Sequence, residues 1–456
     1  MRPFLVHYRL KRPVLERAFI AEERKMSKNS TIIAIATWLI LLWPPLAGAE
    51  EINAADTAWI LTASGLVLFM TVPGLALFYG GLVRTKNVLS VLMQCFAITS
   101  LVSVLWLLGG YSLALSDGGS WQALLGGFSK LSLASLNADS IKDNLPETVF
   151  CMYHLTFAIF APALIVGGVA ERMKFSALLW FVACWELLIY VPVCHWMWGG
   201  GWLSQMGVMD FAGGIVVHVS GGIAALTGAI MVGARRGFPR VPMPPHNLTM
   251  TATGAGILWV GWHGFSAGSA LMANGAAGIA MLSTHMSAAA GSLAWMTLEW
   301  LRFGKPSGLG LITGMVAGLG MIAPSAGFVS PLGGLAIGLI AGSLCFFTLH
   351  WIKHRFSIDD TLDVFAIHGV GGMVGSLLTA IFASEPLGGI GTLADNGFVG
   401  QFAAQTIAVL AVALWSGGIS FLILKILDKT LGLRVSASDE SEGLDIALHN
   451  EQGYNF

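Results

Sequence analysis

Residues 210–222 read DFAGGIVVHVSGG, and residues 363–372 read DVFAIHGVGG. In each stretch one histidine, His218 or His368, stands inside an apolar run and is followed by glycines at the third and fourth positions. A histidine in a long apolar run is costly unless it faces a partner or a cavity, so it marks a candidate functional site. Two such runs, one in each half of the chain, predict an internal repeat with a histidine from each half at its centre.

The composition around these runs is that of a membrane protein. Of 456 residues, 55% are hydrophobic and 11% are charged, and the mean hydropathy is +0.74. Charged residues make up about a quarter of an ordinary soluble domain, so a soluble multidomain enzyme is excluded. The 57 glycines favour helices that approach each other closely through small residues.

Apolar stretches long enough to cross about 30 Å of hydrocarbon, roughly 20 residues each, follow one another after Glu50. We count eleven, near residues 57–80, 88–113, 148–169, 175–195, 211–233, 249–268, 274–298, 308–324, 327–350, 364–383 and 399–425. The loops between them are too short to hold a separate soluble domain.

Basic residues are concentrated in every second loop, as the positive-inside rule requires. The odd-numbered loops carry Arg84, Lys86, Arg172, Lys174, Arg235, Arg236, Arg240, Arg302, Lys305, Lys353 and Arg355, whereas the even-numbered loops carry only Lys130 and Lys142. This pattern predicts an outside amino terminus and a cytoplasmic carboxyl terminus. The fifth span then runs inward and the tenth outward, which is typical of an inverted repeat. We therefore predict an all-α membrane protein of eleven transmembrane helices, with an inverted repeat of five plus five and one extra helix.

The amino terminus has the layout of a secretory signal. Residues 26–49 contain a lysine-bearing start, an apolar core and a small-residue cleavage site, while residues 1–25 are interpreted as an upstream start-site extension. An uncleaved first helix is the alternative. Residues 50–425 are then the membrane domain, and residues 426–456 form a cytoplasmic regulatory tail.

Several function classes find no support in the sequence. A net charge of −1 gives no basic excess for nucleic acid. The five cysteines lie in apolar stretches without the paired spacings of zinc or redox sites, so we expect no metal and no disulfide framework. We also find no cofactor motif and no nucleophile and base pair outside the spans, so an enzyme is the least favoured class.

Two histidines that meet near a pseudo-symmetry axis can share one proton and leave a ring nitrogen free to bind a small polar solute. Asp210 opens the fifth span and is either a helix N-cap or a buried anion that shapes an outer cation site. Asp363, beside Asp359 and Asp360, is interpreted more simply as a loop carboxylate.

A few aromatic and hydroxyl side chains should gather at the outer face, where Asp210 also lies. Phe157 is in the third span, Trp198 ends the fourth, and Phe265 and Ser269 end the sixth. An aromatic face attracts a cation, and a hydroxyl oxygen accepts an N–H bond from it. The group is therefore a candidate cation site.

These residues stand in runs that resemble the ammonium transporter (Amt/MEP/Rh) family. The matching runs are PGLALFYGG at 73–81, DFAGGIVVH at 210–218, FSAGS at 265–269 and DVFAIHG at 363–369, and the resemblance extends from about Asp56 to the tail. Retention of Trp198 and Ser269 favours the bacterial Amt branch.

The resemblance implies a homotrimer in the cell inner membrane, with a pore in each protomer that carries ammonium or ammonia. Phe157, Trp198 and Ser269 would bind ammonium, Phe157 and Phe265 would form a gate, and His218 and His368 would line the pore. Asp210 would support the outer site. The tail is similar to Amt tails that contact a PII signalling protein.

The sequence departs from the family pattern at three positions, His263, Ser266 and Tyr153, which puts fine selectivity in doubt. The transport hypothesis has two rivals besides an enzyme. One is a protein that mainly senses ammonium and signals through its tail. The other is a neutral-solute channel for urea or water, which would need neither an aromatic cation site nor paired histidines.

Overall fold

The computed structural model describes residues 51–455, apart from residues 393 and 396. Ile52–Phe456 form one compact unit, which is described below. The predicted upstream extension and signal peptide lie outside the described residues.

Long helices make up nearly all of this unit. They are α1 (Ala54–Leu82), α2 (Thr85–Leu115), α3 (Glu147–Val169), α4 (Phe175–Gln205), α5 (Gly214–Val232), α6 (Leu248–Gly268), α7 (Gly275–Phe303), α8 (Gly308–Ile322), α9 (Pro331–Arg355), α10 (Phe365–Phe382) and α11 (Gly397–Thr430). Two short helices, α12 (Ala437–Glu442) and α13 (Leu444–His449), follow in the tail. An antiparallel hairpin of β1 (Ile141–Lys142) and β2 (Leu145–Pro146) precedes α3. The prediction of an all-helical protein is thus confirmed, apart from this small hairpin.

Eight helices of the described residues are long and apolar enough to cross a membrane. The other three, α6, α7 and α8, fall short by hydropathy or by length. Their sequences are rich in glycine, alanine, serine and threonine, which lowers mean hydropathy but lets neighbouring backbones come close. In α7 and α8, for example, a Cβ on Gly291 would collide with the carbonyl oxygen of Gly314.

Five helices contain a widened, π-helical turn. These turns are Met70–Leu75, Trp106–Gly110, Glu186–Tyr190, Gly214–Val219 and Phe365–Gly369. Such turns are rare and occur preferentially at functional sites. The last two contain His218 and His368, so the helices that carry the histidines are both irregular where the histidines lie.

One end of the bundle, which we call the basic end, is held by a network of ion pairs. The guanidinium of Arg235 lies 2.9 Å from a carboxylate oxygen of Glu171 and 2.8 Å from one of Asp359. Arg84 contacts Glu171 at 2.9 Å. Burial alone would raise the pKa of Glu171, but the charges of Arg235 and Arg84 hold that pKa below its ordinary value. Burial also opposes ionisation of Asp359, whose pKa is nevertheless lowered by the hydrogen bonds and charge of Arg235.

Arg172 joins the same end of the bundle without a side-chain ion pair. Its fully buried guanidinium donates to the carbonyl oxygens of Gly168, Gly233 and Asp359, at 3.0, 2.6 and 2.6 Å. These bonds connect the end of α3 with the loops that follow α5 and α9. Arginine suits this place because its planar guanidinium has five donors and stays charged when buried.

Replacing Arg235 with glutamine should destabilise the protein by about 3–5 kcal/mol, because Asp359 loses its ion-pair partner and Glu171 keeps only Arg84. The pKa values of Glu171 and Asp359 are lowered in the folded state. The stabilisation that these carboxylates share with Arg235 is therefore complete above their ordinary pKa values of 4.5 and 3.8. It is lost as the pH falls below that range. The difference in thermal unfolding temperature between wild type and Arg235→Gln should therefore become smaller as the pH is lowered.

The matched control is Arg240→Gln, which removes an exposed arginine from the same loop. The substitution Arg240→Gln should change the free energy of unfolding by no more than about 0.5 kcal/mol. An equal loss of stability in both variants, or a difference that does not change with pH, would contradict the assigned role of Arg235.

Candidate functional site

A cavity of about 340 Å³ opens at the end of the bundle opposite the basic end. Four residues singled out from the sequence lie in its wall, and they come from α3, α4, the segment before α5 and the end of α6. The full lining is Asp143, Phe150, Tyr153, His154, Phe157, Met197, Trp198, Asp210, Phe211, Ser269, Leu271 and Phe328. The fold thus gathers Phe157, Trp198, Asp210 and Ser269 from distant parts of the chain.

Aromatic rings form the floor of this cavity. The ring of Trp198 stands perpendicular to that of Phe157, with centroids 5.6 Å apart. On its other side Phe157 stacks on Phe265, with centroids 4.1 Å apart and an angle of 18° between the rings. Phe265 is fully buried. The stacked pair therefore separates the cavity from the interior of the bundle.

Ser269 stands at the wall with its hydroxyl held in place. Its Oγ donates to the carbonyl oxygen of Phe265 at 2.9 Å, and the hydroxyl of Tyr153 lies 3.3 Å from it. Tyr153 also donates to the carbonyl oxygen of Phe265, at 2.9 Å. A serine that donates to a carbonyl keeps its oxygen lone pairs available for another donor. The tyrosine that departs from the family pattern is thus part of the support of Ser269.

Asp210 is buried and acts on the start of α5. Its carboxylate accepts hydrogen bonds from the backbone N–H groups of Gly214, Ile215 and Val216, at 2.6, 2.8 and 3.0 Å. Its backbone carbonyl accepts a hydrogen bond from Nε1 of Trp198 at 3.0 Å. The contacts are those of an N-cap, and they also fix the position of the tryptophan in the cavity wall.

His218 and His368 lie side by side below the stacked phenylalanines. Their Nδ1 atoms are 3.2 Å apart, and the rings are nearly parallel with centroids 5.1 Å apart. This close approach depends on glycine: a Cβ on Gly222 would collide with the backbone of Gly369, and one on Gly372 would lie 2.9 Å from Cβ of His218. One imidazole can donate to the other across the short distance, so the two rings can share a proton.

The surroundings of the pair are aromatic. Trp262 stacks on His218 with centroids 5.5 Å apart, and the ring of Phe265 is 6.1 Å from that of His218. The outward nitrogen of His218, Nε2, is buried and has no hydrogen-bond partner among the described residues. An unpaired, buried nitrogen of this kind is available to bind a small polar solute.

Asp360 is a residue whose role the sequence analysis missed. Its carboxylate accepts a hydrogen bond from the N–H of Phe365 at 2.7 Å, at the start of the turn that carries His368. Burial and the nearby Asp363 raise the pKa of Asp360 to about 7. The signal was present in the sequence, because each histidine is preceded by an aspartate eight positions earlier. The sequence alone assigned no role to Asp360, whereas Asp363, which was interpreted as a loop carboxylate, pairs with Lys353 at 2.6 Å.

Phe150 and His154 also lie in the cavity wall, and no motif or spacing in the sequence pointed to them. Their rings are 4.2 Å apart, and His154 lies 6.0 Å from the ring of Trp198. Of the other departures from the family pattern, His263 lies outside the cavity lining and contacts His285, with ring centroids 5.7 Å apart. Ser266 is buried, with no hydrogen-bond partner for its hydroxyl in the described part of the chain.

Known proteins with similar sequences are ammonium transporters. The model of the Ammonium Transporter Family matches residues 58–454. The ammonium transporter of Aquifex aeolicus is 44% identical over 417 residues, covering 90% of this chain and 96% of the relative. That of Bacillus subtilis is 42% identical over 404 residues, with 88% and 98% covered.

Solved structures show the same relationship. A structure described as "Sensor Amt Protein" matches with a TM-score of 0.81 and 30% identity, covering 87% of this chain and 98% of that one. Saccharomyces cerevisiae Mep2 matches with a TM-score of 0.78 and 33% identity, covering 86% and 93%. The prediction that the chain is a transporter and not an enzyme is confirmed by these relatives. The chain therefore belongs to the ammonium transporter family of multi-pass membrane proteins.

Proposed function

We propose that this protein moves ammonium nitrogen across the cytoplasmic membrane by capturing ammonium in the cavity, removing a proton and conducting ammonia past the histidine pair. One observation carries the proposal. The rings of Phe157, Phe265, His218 and His368 follow one another, with successive centroid distances of 4.1, 6.1 and 5.1 Å. The series leads from the floor of the cavity to the centre of the bundle.

Capture relies on the aromatic wall and on Ser269. The faces of Trp198 and Phe157 attract a cation through their ring electrons, and the lone pairs of Ser269 Oγ accept one of its N–H bonds. Asp210 supports the site by fixing Trp198, and its charge adds to the attraction. Potassium has similar size and charge, so we propose that selectivity is completed by a chemical step that potassium cannot make.

That step is deprotonation. Moving a bare cation through an apolar passage would cost tens of kcal/mol by Born estimates, whereas neutral ammonia bound to an imidazole faces a much smaller barrier. Phe157 and Phe265 form the gate that ammonia passes. The unpaired Nε2 of His218 then accepts a hydrogen bond from ammonia, and the shared proton between the imidazoles offers a separate path for the released proton.

We propose that all eleven long helices span the membrane, and that α1–α5 and α6–α10 are inverted repeats with α11 outside the symmetry. The support is the matched geometry of the two halves. Asp210 and Asp360 cap the turns that carry His218 and His368, respectively. The glycines after each histidine leave room for the backbone of the other half to pack closely. The pore lies within each protomer.

The basic end is proposed to be cytoplasmic and the cavity to face outward, in the inner membrane, because positive residues are retained on the cytoplasmic side. The amino terminus of the mature chain is then outside. We keep residues 1–25 as an upstream extension and 26–49 as a signal peptide. The membrane domain comprises 50–425 and the tail 426–456, although α11 continues to Thr430.

A homotrimer is proposed as the assembly. The surface of α1, α6 and α7 exposes small and polar residues at membrane depth, including Gly65, Gly256 and Gly278, each with open space beside it, and His285. Small residues allow close helix contact in lipid, and an exposed histidine there calls for a partner. A second subunit would provide both.

The tail is proposed to regulate transport and to present a surface to a PII-type signalling protein. It is docked on the basic end. Glu440 of α12 accepts a hydrogen bond from the N–H of Arg236, in the loop after α5, at 2.7 Å. Asp445 of α13 accepts hydrogen bonds from the N–H groups of Leu89 and Ser90, at 3.0 and 2.7 Å. These bonds connect the tail to the start of α2, so a partner that moves the tail would act on the helix bundle.

Replacing both histidines with leucine should reduce ammonium uptake by proteoliposomes to the level of protein-free vesicles, because ammonia then has no hydrogen-bond partner in the apolar passage. Current and uptake are measured after a sudden rise in ammonium concentration. A parallel rise in potassium concentration should produce neither current nor uptake. The control is His263→Leu, which removes a histidine outside the cavity and should transport normally. Full uptake by the double variant would defeat the mechanism, and uptake of urea or water by wild type would favour the neutral-solute channel.

Replacing Trp198 with leucine should raise the ammonium concentration for half-maximal uptake by about tenfold. A cation–π contact contributes about 1–2 kcal/mol, and 1.4 kcal/mol corresponds to a factor of ten. The maximal rate should change little, since the histidine pair is untouched. Trp202→Leu, which alters a tryptophan of the same helix outside the cavity lining, is the control and should leave the concentration dependence unchanged. Equal effects of both substitutions would argue against capture at Trp198.

A sensing role is the second candidate, favoured by the docked tail and by the structural match described as a sensor Amt protein. Deleting the chain after Thr430 separates the two functions. We expect uptake to persist while its response to a PII protein disappears, since the pore residues are all upstream. If the deletion abolishes binding to PII but leaves transport unchanged under every condition, sensing would instead be favoured as the main role.

A further inference from the structure

Glu186 is a buried carboxyl group that the proposed transport path does not use. It opens the widened turn Glu186–Tyr190 of α4, about midway between Phe175 and Trp198. The side chain is fully buried, and neither carboxyl oxygen has a hydrogen-bond partner in the described part of the chain. It lines neither the cavity nor the histidine pair. An ionisable residue at this depth is a functional candidate.

Two further polar groups beside it are equally unpaired. The N–H of Trp185 and the hydroxyl of Tyr190 are buried without partners among the described residues, and the two rings have centroids 6.2 Å apart. Leu187 and Leu188, on the other side of the same turn, are exposed. The large majority of buried side-chain polar atoms in proteins are paired, so four unpaired atoms within residues 185–190 indicate a bound polar species, of which water is the smallest.

The surroundings favour a proton on Glu186. The titratable groups that face it are Tyr190 and Cys194, both on α4, and neither of them is a base that could neutralise a carboxylate. On the neighbouring α3, Cys151 is not a base either, and Glu147 is engaged by Tyr111 and Lys130, at 2.8 Å each. The described parts of α2 and α11 place no charge against Glu186. With no counter-charge, the protonated acid is the stable form.

The ionised form nevertheless has support within reach. Trp185 and Tyr190 each hold one spare donor on the residues beside and one helical turn after Glu186, and bound water would connect these donors to the carboxylate. Hydrogen bonds to the charged form favour ionisation, whereas the apolar walls oppose it. A site with provision for both states can exchange its proton.

We propose that Glu186 is a proton-binding site in the middle of the membrane, separate from the histidine pair, which exchanges its proton with bound water during transport. The part that concerns transport rests on the proposed function. The binding site itself rests only on the buried carboxyl and its two unpaired neighbours.

The first arm of the test is chemical modification of the full-length protein in proteoliposomes. Dicyclohexylcarbodiimide enters lipid and reacts with protonated carboxyls: the acid O–H adds across one C=N bond, and the product keeps every atom of both reactants. We expect adduct formation at Glu186 in peptide maps, with less adduct as the pH rises. Glu147, ion-paired with Lys130, is the internal control and should stay unmodified. A water-soluble carbodiimide should modify neither residue. Absence of an adduct at Glu186 at every pH would overturn the proposal.

The second arm compares Glu186→Gln with Glu186→Asp. Glutamine keeps the size and the polar character of the side chain but cannot exchange a proton, whereas aspartate keeps the carboxyl on a shorter side chain. We expect Glu186→Gln to lose the adduct and to lower the maximal uptake rate at least about fivefold, with an unchanged half-saturating concentration. Aspartate should restore adduct and rate.

A purely structural acid would give the opposite order, with glutamine indistinguishable from wild type, and that result would overturn the exchange role. Failure of the wild type to take up ammonium would refute the proposed function instead. In that case the pH-dependent adduct alone decides whether Glu186 binds a proton.

Discussion

Burying polar groups inside an apolar helix bundle costs free energy unless each of them finds a partner, and the described structure is organised around that cost. It is most visible where a helix is broken. The chain enters α5 through a left-handed Gly213, and the backbone N–H groups that this entry frees are taken up by Asp210. Asp360 does the same before α10. Two irregular turns thus become stable inside the bundle, and both carry a histidine.

The cost of burying polar groups also explains why most charged side chains lie away from the proposed route past the histidine pair. Apart from Lys130–Glu147, the ion pairs of the described residues gather at the basic end with the buried Arg172, whose charge is matched by backbone carbonyls. The opposite end holds the cavity, whose wall is mainly aromatic and whose one buried carboxylate is already occupied by backbone donors. Between them lie the rings of Phe157, Phe265, His218 and His368. A route lined by such rings would favour a neutral solute over a cation, which is the physical basis of the proposed deprotonation.

Asp210 and Glu186 show two different uses of a buried carboxyl group. Asp210 receives three backbone donors and therefore acts as a fixed structural element that positions Trp198. Glu186 receives none, and its neighbours also lack partners. Because hydrogen bonds to the ionised form decide whether a buried acid keeps its proton, the first is suited to hold geometry and the second to exchange a proton.

The sequence by itself determined the class of the protein, the positions of the long helices and four candidate residues of the cavity wall, because hydropathy, charge alternation and motif spacing are local properties of the chain. It also pointed to His218 and His368 as a pair. It did not reveal the support of Ser269 by Tyr153, the capping role of Asp360 or the widened turns. Nor did it show that Glu186, one carboxyl in an apolar run, would lie unpaired. Those features depend on which groups from distant helices come within about 3 Å of each other, and only the packed tertiary structure decides such distances.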